Sequence, residues 1–538
     1  KTIKPCGEAV TVGDKDVRDV SRYLNFPLYS NARARIISMP EITEGAIVEY
    51  KIKTTQNQLI NKKDFDTLYT LQENEPIVFA KFKVTVPEER ELKIKILNPE
   101  YNTQKFNLTP AISKTRKEKV YAWEFQHIAQ IELEPNMPPA SEITPLIFLS
   151  TFNSWDEIYR WWWELAKGRI TPDNAITEKV KELIAGKHTQ EEKIRALYNY
   201  CVQEIRYVGI EYGQAGYQPH QAQEIFKNKY GDCKDKAILF VSMLQAAGIE
   251  GYPVLIGTRG TPLMSEDFPA TIFNHAIAAV ELEGKLVFLD ITAEVCSFGD
   301  LPVVIQARKA LLFRKDKYEI VVTPLVAPGK NFINYKTTIA LHSDETITAR
   351  REVNALGEFD QMQRFWLRYT APNLIEQGLQ QKVQSMVTSG KLTAYAYENA
   401  DTLDIPIRLT YEFDGKNFLS RAGKARILPQ FAQLDTSLVA KDARNYPLEL
   451  GAPNLSESVF TMALPPNIRV KYLPKALDIK NQWNEYALMY EVKGNTLTVT
   501  QRQVSKARQI AKEEYQEFKK FLEDLAITVD EHIILERR

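Results

Sequence analysis

Three residue types capable of acyl-transfer chemistry stand out in the middle of the chain. The segment Tyr230-Gly231-Asp232-Cys233-Lys234-Asp235-Lys236 places a thiol in the first turn of a predicted helix. Free N–H groups and the macrodipole at such an end favour a thiolate over a thiol. The same N–H groups can receive an oxyanion. Gly231 is expected to let the backbone turn sharply and to leave open space before the sulfur, and Lys234 and Lys236 add positive potential. Downstream, Phe273-Asn274-His275-Ala276 opens a predicted hairpin, and Phe288-Leu289-Asp290 lies near its far end. With Glu283-Gly284 as a two-residue turn, Leu282 pairs with Lys285, and Asp290 falls on the face of His275. Diagonal neighbours on one face are roughly 7–8 Å apart at the Cα level, so a carboxylate at 290 can reach the imidazole. A nucleophile at Cys233, a base at His275 and an orienting acid at Asp290 satisfy the general logic of covalent catalysis.

The elements that must carry these residues are legible from periodicity. Residues 233–247 place Cys233, Ala237, Phe240, Leu244 and Ala247 on one helical face, with Gly248 as the cap. Tyr252 to Ile256 reads as an apolar strand and Ala276 to Leu289 as the hairpin. Upstream, Ser154 with Glu157 and Thr189 with Glu192 have capping-box spacing, each followed by a helical apolar stripe. The run Trp161-Trp162-Trp163 is expected to anchor its helix, with a substrate platform as the lesser alternative. Cys201 on the second stripe reads as a small buried hydrophobe. Cys296 reads as structural, although its nearness to Asp290 leaves a second reactive thiol open.

Residues 1–150 read as an antiparallel β domain, a sandwich, from runs such as 47–53, 77–84 and 92–97. Residues 151–328 form the α+β segment just described. Residues 329–538 read as β-rich, with strands at 337–341, 347–353, 407–413, 486–492 and 496–500. Helices are expected near 357–369, 373–388 and 505–526, and this region can hold more than one unit.

Composition bounds the function class. The chain has 538 residues, with 69 basic and 69 acidic side chains. A protein that lives by neutralising phosphates is usually basic, so nucleic acid is not the expected partner. No window approaches the ~18 apolar residues of a membrane-spanning helix. Four cysteines make no disulfide framework and form no zinc pattern. There is no HExxH, no GxxxxGK[ST] and no calcium loop.

These residues resemble the transglutaminase-like superfamily of papain-type fold. The resemblance rests on GDCKD at 231–235, FNHA at 273–276 and the LD-x-T string at 289–292. It also rests on EKIRALY at 192–198, IRYVGI at 205–210, GYQPH at 216–220, LQAAGIEGYP at 244–253 and GDLP at 299–302. It is closer to a bacterial branch in which the thiol domain lies between DUF3857 and DUF3858 β domains. The resemblance implies a cysteine peptidase or amidase with Cys233, His275 and Asp290 as its triad, acting on a peptide or protein substrate without a cofactor or metal. It equally admits a protein-crosslinking transglutaminase, or a binding scaffold that keeps the fold. Gln218 is the candidate oxyanion donor; His220 is the less favoured base, for want of a visible orienter. The chain departs from the family's frequent W-L-D-P-T with Phe288-Leu289-Asp290-Ile291-Thr292. Thr2 to Gly7 resembles the middle of the family's first domain, with Cys6 in place of its usual polar residue. An upstream stretch and signal peptide are therefore expected, along with a periplasmic or cell-surface location.

Overall fold

The structure is a computed structural model that describes residues 1–21, 33–55, 61–209, 216–432 and 434–538. Ile210, the last residue of one quoted string, lies outside the described residues. The fold is mixed α+β, with a central α+β region and many β-sheets in the flanking regions.

In the N-terminal part, strand Glu118–Ile128 alternates Tyr121, Trp123 and Phe125 inward with Glu124 and Gln126 outward. It pairs antiparallel with Ile77–Pro87 and Ala111–Lys114. A second three-stranded sheet has Leu146–Ser150 between Asp66–Thr70 and Lys93–Leu97. The two inner faces meet in one cluster, where Phe82 stacks on Tyr69 at 4.9 Å and on Trp123 at 5.3 Å. Leu146–Ser150 is buried along its whole length. Ile147 and Leu149 face this core, while Phe148 faces Phe268 of the central region. That double burial explains a continuous apolar run in place of an alternating one. Of the strand expected over 47–53, only Ile47–Val48 forms. It pairs with Thr2–Ile3, Glu49 exchanges backbone hydrogen bonds with Lys1, and the described residues 50–55 form no strand.

The central part contributes helices α1 (Trp155–Ala166), α2 (Asn174–Ile184), α3 (Gln190–Glu204), α4 (Ala222–Asn228) and α5 (Cys233–Ala246). Its antiparallel sheet has strands β1 (Gly251–Ile256), β2 (His275–Leu282), β3 (Lys285–Leu289), β4 (Lys309–Phe313) and β5 (Tyr318–Val322), in the order β3-β2-β1-β4-β5. Every residue of α5 from Cys233 to Leu244 is buried. The single buried face expected from spacing is therefore too narrow, because α2, α3, α4, β1 and β2 surround this helix.

Beyond residue 331 one eight-stranded sheet dominates. Its centre is Phe332–Leu341, parallel to Asn454–Ala463 and antiparallel to Ile347–Ala355. Helices α6 (Glu358–Tyr369) and α7 (Pro372–Met386) form where spacing predicts them. The third, α8, runs Tyr515–Val529 rather than from 505. Ser505 ends a strand and Gln509–Ile510 pairs with Leu448–Glu449, so tertiary β pairing overrides the local helical pattern. No helix among the described residues is long and apolar enough to cross a membrane.

Candidate active site

Asp232 caps α5: its carboxylate accepts the Asp235 N–H at 3.2 Å, and Asp235 reaches back to the Asp232 N–H at 3.3 Å. The Lys234 ammonium bonds the Asp232 carboxylate from the other side. Burial, with the nearby Asp235 charge, pushes the Asp232 carboxyl up to about 6. Cys233 is the first helical residue and is 6% exposed. The space beside Gly231 is not open, contrary to the sequence expectation. A Cβ there would stand 2.6 Å from Asp235 Cβ and 3.3 Å from Ile225 Cγ2. Glycine is needed because the capping carboxylate packs on it.

The β2–β3 hairpin has the register read from the sequence, Leu282 opposite Lys285 through Ala278 opposite Leu289. Glu283 (φ 50°) and Gly284 (φ 73°) both have positive φ, the type I′ requirement. Asp290 follows the end of β3. His275 begins β2 and pairs with Ile256 on the other side. Asp290 Oδ2 lies 3.0 Å from His275 Nε2. The other carboxylate oxygen accepts the Thr292 N–H at 2.9 Å and hydroxyl at 2.7 Å. The Cys233 thiol lies within hydrogen-bonding reach of the same imidazole. With Nε2 committed to Asp290, Nδ1 is the nitrogen left for sulfur.

Burial alone would lower the His275 pKa. The Asp290 charge and hydrogen bond, with the Cys233 contact, override it and raise the imidazole to about 10. Burial alone would likewise raise Asp290, but His275 and Thr292 hold its carboxyl below the ordinary value. A thiol, an imidazole and a carboxylate so placed can form a thiolate–imidazolium pair and shuttle one proton.

Cys233 and His275 line a cleft of about 290 Å³ whose walls include Trp161, Tyr217, Phe273 and Asn274. All of its described lining residues fall between Ile158 and Ala276, so no described residue of either flanking region lines it. The tryptophan run divides its work. Trp162 is buried on Phe313 at 4.4 Å and donates its indole N–H to the Tyr217 carbonyl at 3.1 Å. Trp163 stacks on Tyr159 at 6.4 Å. Trp161 stands in the cleft wall, 5.3 Å from the Tyr217 ring. Anchoring therefore describes Trp162 and Trp163, and Trp161 faces the site.

Gln218 is half-buried and is not among the described residues lining the cleft. His220 has the orienter that sequence reading did not find. Asp235 accepts its backbone N–H at 2.8 Å and contacts its Nδ1 at 3.0 Å, and that hydrogen bond raises the imidazole pKa against partial burial. Asp235 lies fifteen residues further on and points back only because the helix cap turns it, which no spacing rule reveals. Thr292 was also missed, although Asp-x-Thr is an Asx-turn pattern visible in the sequence. Cys201 and Cys296 are buried, and desolvation raises both thiols, Cys201 to about 12. Cys6 is exposed. Among the described residues no group of three or more His, Cys, Asp or Glu side chains is arranged to hold a metal ion.

Three stretches of the chain match known families. Residues 177–282 match the profile described as the Transglutaminase-like superfamily. Residues 1–132 and 424–535 match two domains of unknown function with solved structures, DUF3857 and DUF3858. A curated relative, the Kyphoscoliosis peptidase of Homo sapiens, is 25% identical over 129 residues. That stretch is 24% of this chain and 20% of the relative, so the chain spans about a fifth of that protein's length. A solved structure of a "putative protease" from Parabacteroides distasonis superposes with a TM-score of 0.65 at 14% identity, over 99% of this chain and 88% of that one. At that identity the likeness concerns the fold alone.

Proposed function

We propose that this chain, whose residues 177–282 match the transglutaminase-like superfamily between regions that match DUF3857 and DUF3858, is a cysteine peptidase or amidase acting on peptide or protein amides. The observation that carries the reading is the imidazole of His275, bonded through Nε2 to Asp290 at 3.0 Å with the Cys233 thiol in reach of the same ring. Cys233 Sγ, as thiolate, attacks the amide carbonyl carbon, and the carbonyl π electrons move to oxygen. The α5 N-terminus favours the resulting oxyanion. The His275 imidazolium gives its proton to the departing nitrogen, the C–N bond breaks, and a thioester remains. Water then attacks the thioester carbon while His275 accepts its proton. The C–S bond breaks, and a carboxylic acid and the thiolate–imidazolium pair are released. Asp290 keeps the ring oriented and its charge compensated throughout.

Water is the acceptor in this reading because it is always present and the cleft offers no evident amine site. The test is incubation with a proteome-derived peptide library, with and without a primary amine, followed by mass spectrometry. New carboxyl termini that disappear in Cys233→Ala support hydrolysis. Amine-capped products without new carboxylates would move the reading to transamidation. Absence of any acyl-enzyme at Cys233 with every peptide would overturn both in favour of a scaffold. The same resemblance supports an exported, periplasmic or cell-surface protein, which fractionation of the host cell tests.

A further inference from the structure

The residue that begins β2, His275, is held by strand pairing on one side only, to Ile256 of β1. The chain preceding it, residues 265–274, is not strand and takes its position from outside contacts. Some come from the central domain, where Trp155 donates its indole N–H to the Glu266 carbonyl at 2.9 Å and Lys309 pairs with Glu266 at 2.7 Å, and others come from the N-terminal β region. Lys95 donates to Ser265 Oγ at 2.7 Å and pairs with Asp267 at 2.5 Å. Phe148 packs on Phe268 at 5.2 Å, and Ser150 Oγ donates to the Pro269 carbonyl at 2.6 Å. Opposite Ser150 in the sheet stands Asp66. Its Oδ2 accepts both the N–H and the hydroxyl of Thr271, at 2.7 and 2.6 Å.

Thr271 itself lines the cleft beside Cys233 and His275. Between it and the next anchor only Ile272 and Phe273 intervene. That anchor is the Asn274 side chain, which accepts from the Thr258 N–H and donates to the Thr258 hydroxyl, both at 2.9 Å. One end of this short span is thus tied within the central domain and the other to a carboxylate 205 residues upstream. The polar groups are well matched. A carboxylate accepts only, and Thr271 offers it two donors from one residue. Charge-assisted bonds of this kind are stronger than neutral ones.

We infer that the N-terminal β region completes the site, with Asp66 as a positioning residue that acts through Thr271 to hold the segment presenting His275 to Cys233. The inference rests on the thiol–imidazole reading above. It gives the N-terminal region a part in the chemistry although none of its described residues lines the cleft.

The test needs no known substrate. The rate of Cys233 alkylation by iodoacetamide is followed from pH 5 to 9 by peptide mass spectrometry, which separates it from the exposed Cys6. It is measured in full-length wild type, Asp66→Ala, Asp66→Asn, Thr271→Val and His275→Ala, with thermal unfolding of each recorded alongside. Thr271→Val keeps the backbone bond and serves if Asp66→Ala does not fold. The expected result is an alkylation rate at pH 6 lowered about tenfold in Asp66→Ala and Thr271→Val, within what a sub-ångström displacement of a reacting group produces. The rate should approach that of His275→Ala. Asp66→Asn, which keeps one acceptor oxygen, should fall between these and wild type, a partial rescue that a purely structural role would not give. Folded Asp66→Ala and Thr271→Val proteins with wild-type profiles, beside a shifted His275→Ala, would overturn the inference and leave the thiol–imidazole pair standing. A profile unmoved by His275→Ala would overturn the pair and this inference together.

Discussion

The electrostatics of His275 decide what this site can do at a given pH. Its imidazole, raised from 6.5 to about 10, stays protonated through the neutral range when the neighbouring groups are charged. An imidazolium beside sulfur favours thiolate. Iodoacetamide should therefore alkylate Cys233 at pH 6 about tenfold faster in wild type than in His275→Ala. The pH dependence of stability follows by linkage. His275 has a raised folded pKa, so its contribution is complete below 6.5, declines as pH rises, and is lost once pH passes through about 10. Asp290 has a lowered folded pKa, so its contribution is present above the ordinary carboxylate value and is lost as pH falls through the depressed one. The gap in urea midpoint between wild type and His275→Ala should accordingly be widest near pH 6 and close toward pH 10.5. Asp290→Asn keeps the shape but removes the charge, and should slow turnover by on the order of 10²–10⁴-fold, as loss of the orienting acid does in Ser-His-Asp enzymes.

The elements carry these residues because α5 is a core helix with a chemically active end. Buried on all sides, it holds the sulfur's backbone still, and its capping carboxylates neutralise the N-terminal N–H groups that Cys233 does not use. The tight fit at Gly231 makes this end sensitive. Gly231→Ala places a methyl against Asp235 Cβ and Ile225, and should cost about 1–3 kcal/mol by overpacking. Because the strain lies in the cap itself, circular dichroism melts should show the loss together with slower Cys233 alkylation. The hairpin is the complementary rigid element. Its I′ turn sets the register, and the register sets where Asp290 falls relative to His275.

At the scale of the molecule, the three regions are joined at Arg259. Its guanidinium bonds Glu142, just ahead of the N-terminal strand Leu146–Ser150, at 2.9 Å, and Glu449 of the C-terminal region, also at 2.9 Å. Arg308 reaches the same Glu142 at 3.3 Å. The outer regions also touch directly, where Glu134 accepts the Asn445 N–H at 2.9 Å and Asn136 the Glu449 N–H at 2.8 Å. Leu403 of the C-terminal region sits in the central core. Arg259→Ala removes the guanidinium from the half-buried Glu449 and leaves Glu142 with Arg308 alone, and should cost on the order of 2–4 kcal/mol. Calorimetry should then show one transition for wild type and separate steps for the variant. Arg259 also lies two residues from the central domain's Gly257, whose carbonyl Arg308 binds, so loosening this joint reaches the segment that leads to His275.

The sequence by itself determined the local machinery: a thiol at a capped helix start, a hairpin with a specified turn, and a carboxylate on the histidine's face. Each depends on interactions within a few residues, where spacing maps directly onto geometry. The family strings extended that reading to the central fold and its two flanking domains. Tertiary structure alone decided the rest. It brought Cys233 to an imidazole 42 positions away, buried α5 on every side, turned Asp235 onto His220, and replaced the start of a predicted helix with the strand Gln509–Ile510. It also placed Asp66 on Thr271. Long-range partners leave no periodic trace in a single chain, because the condition they satisfy is the pairing of a buried polar group, and many residues along 538 can meet it until packing selects one.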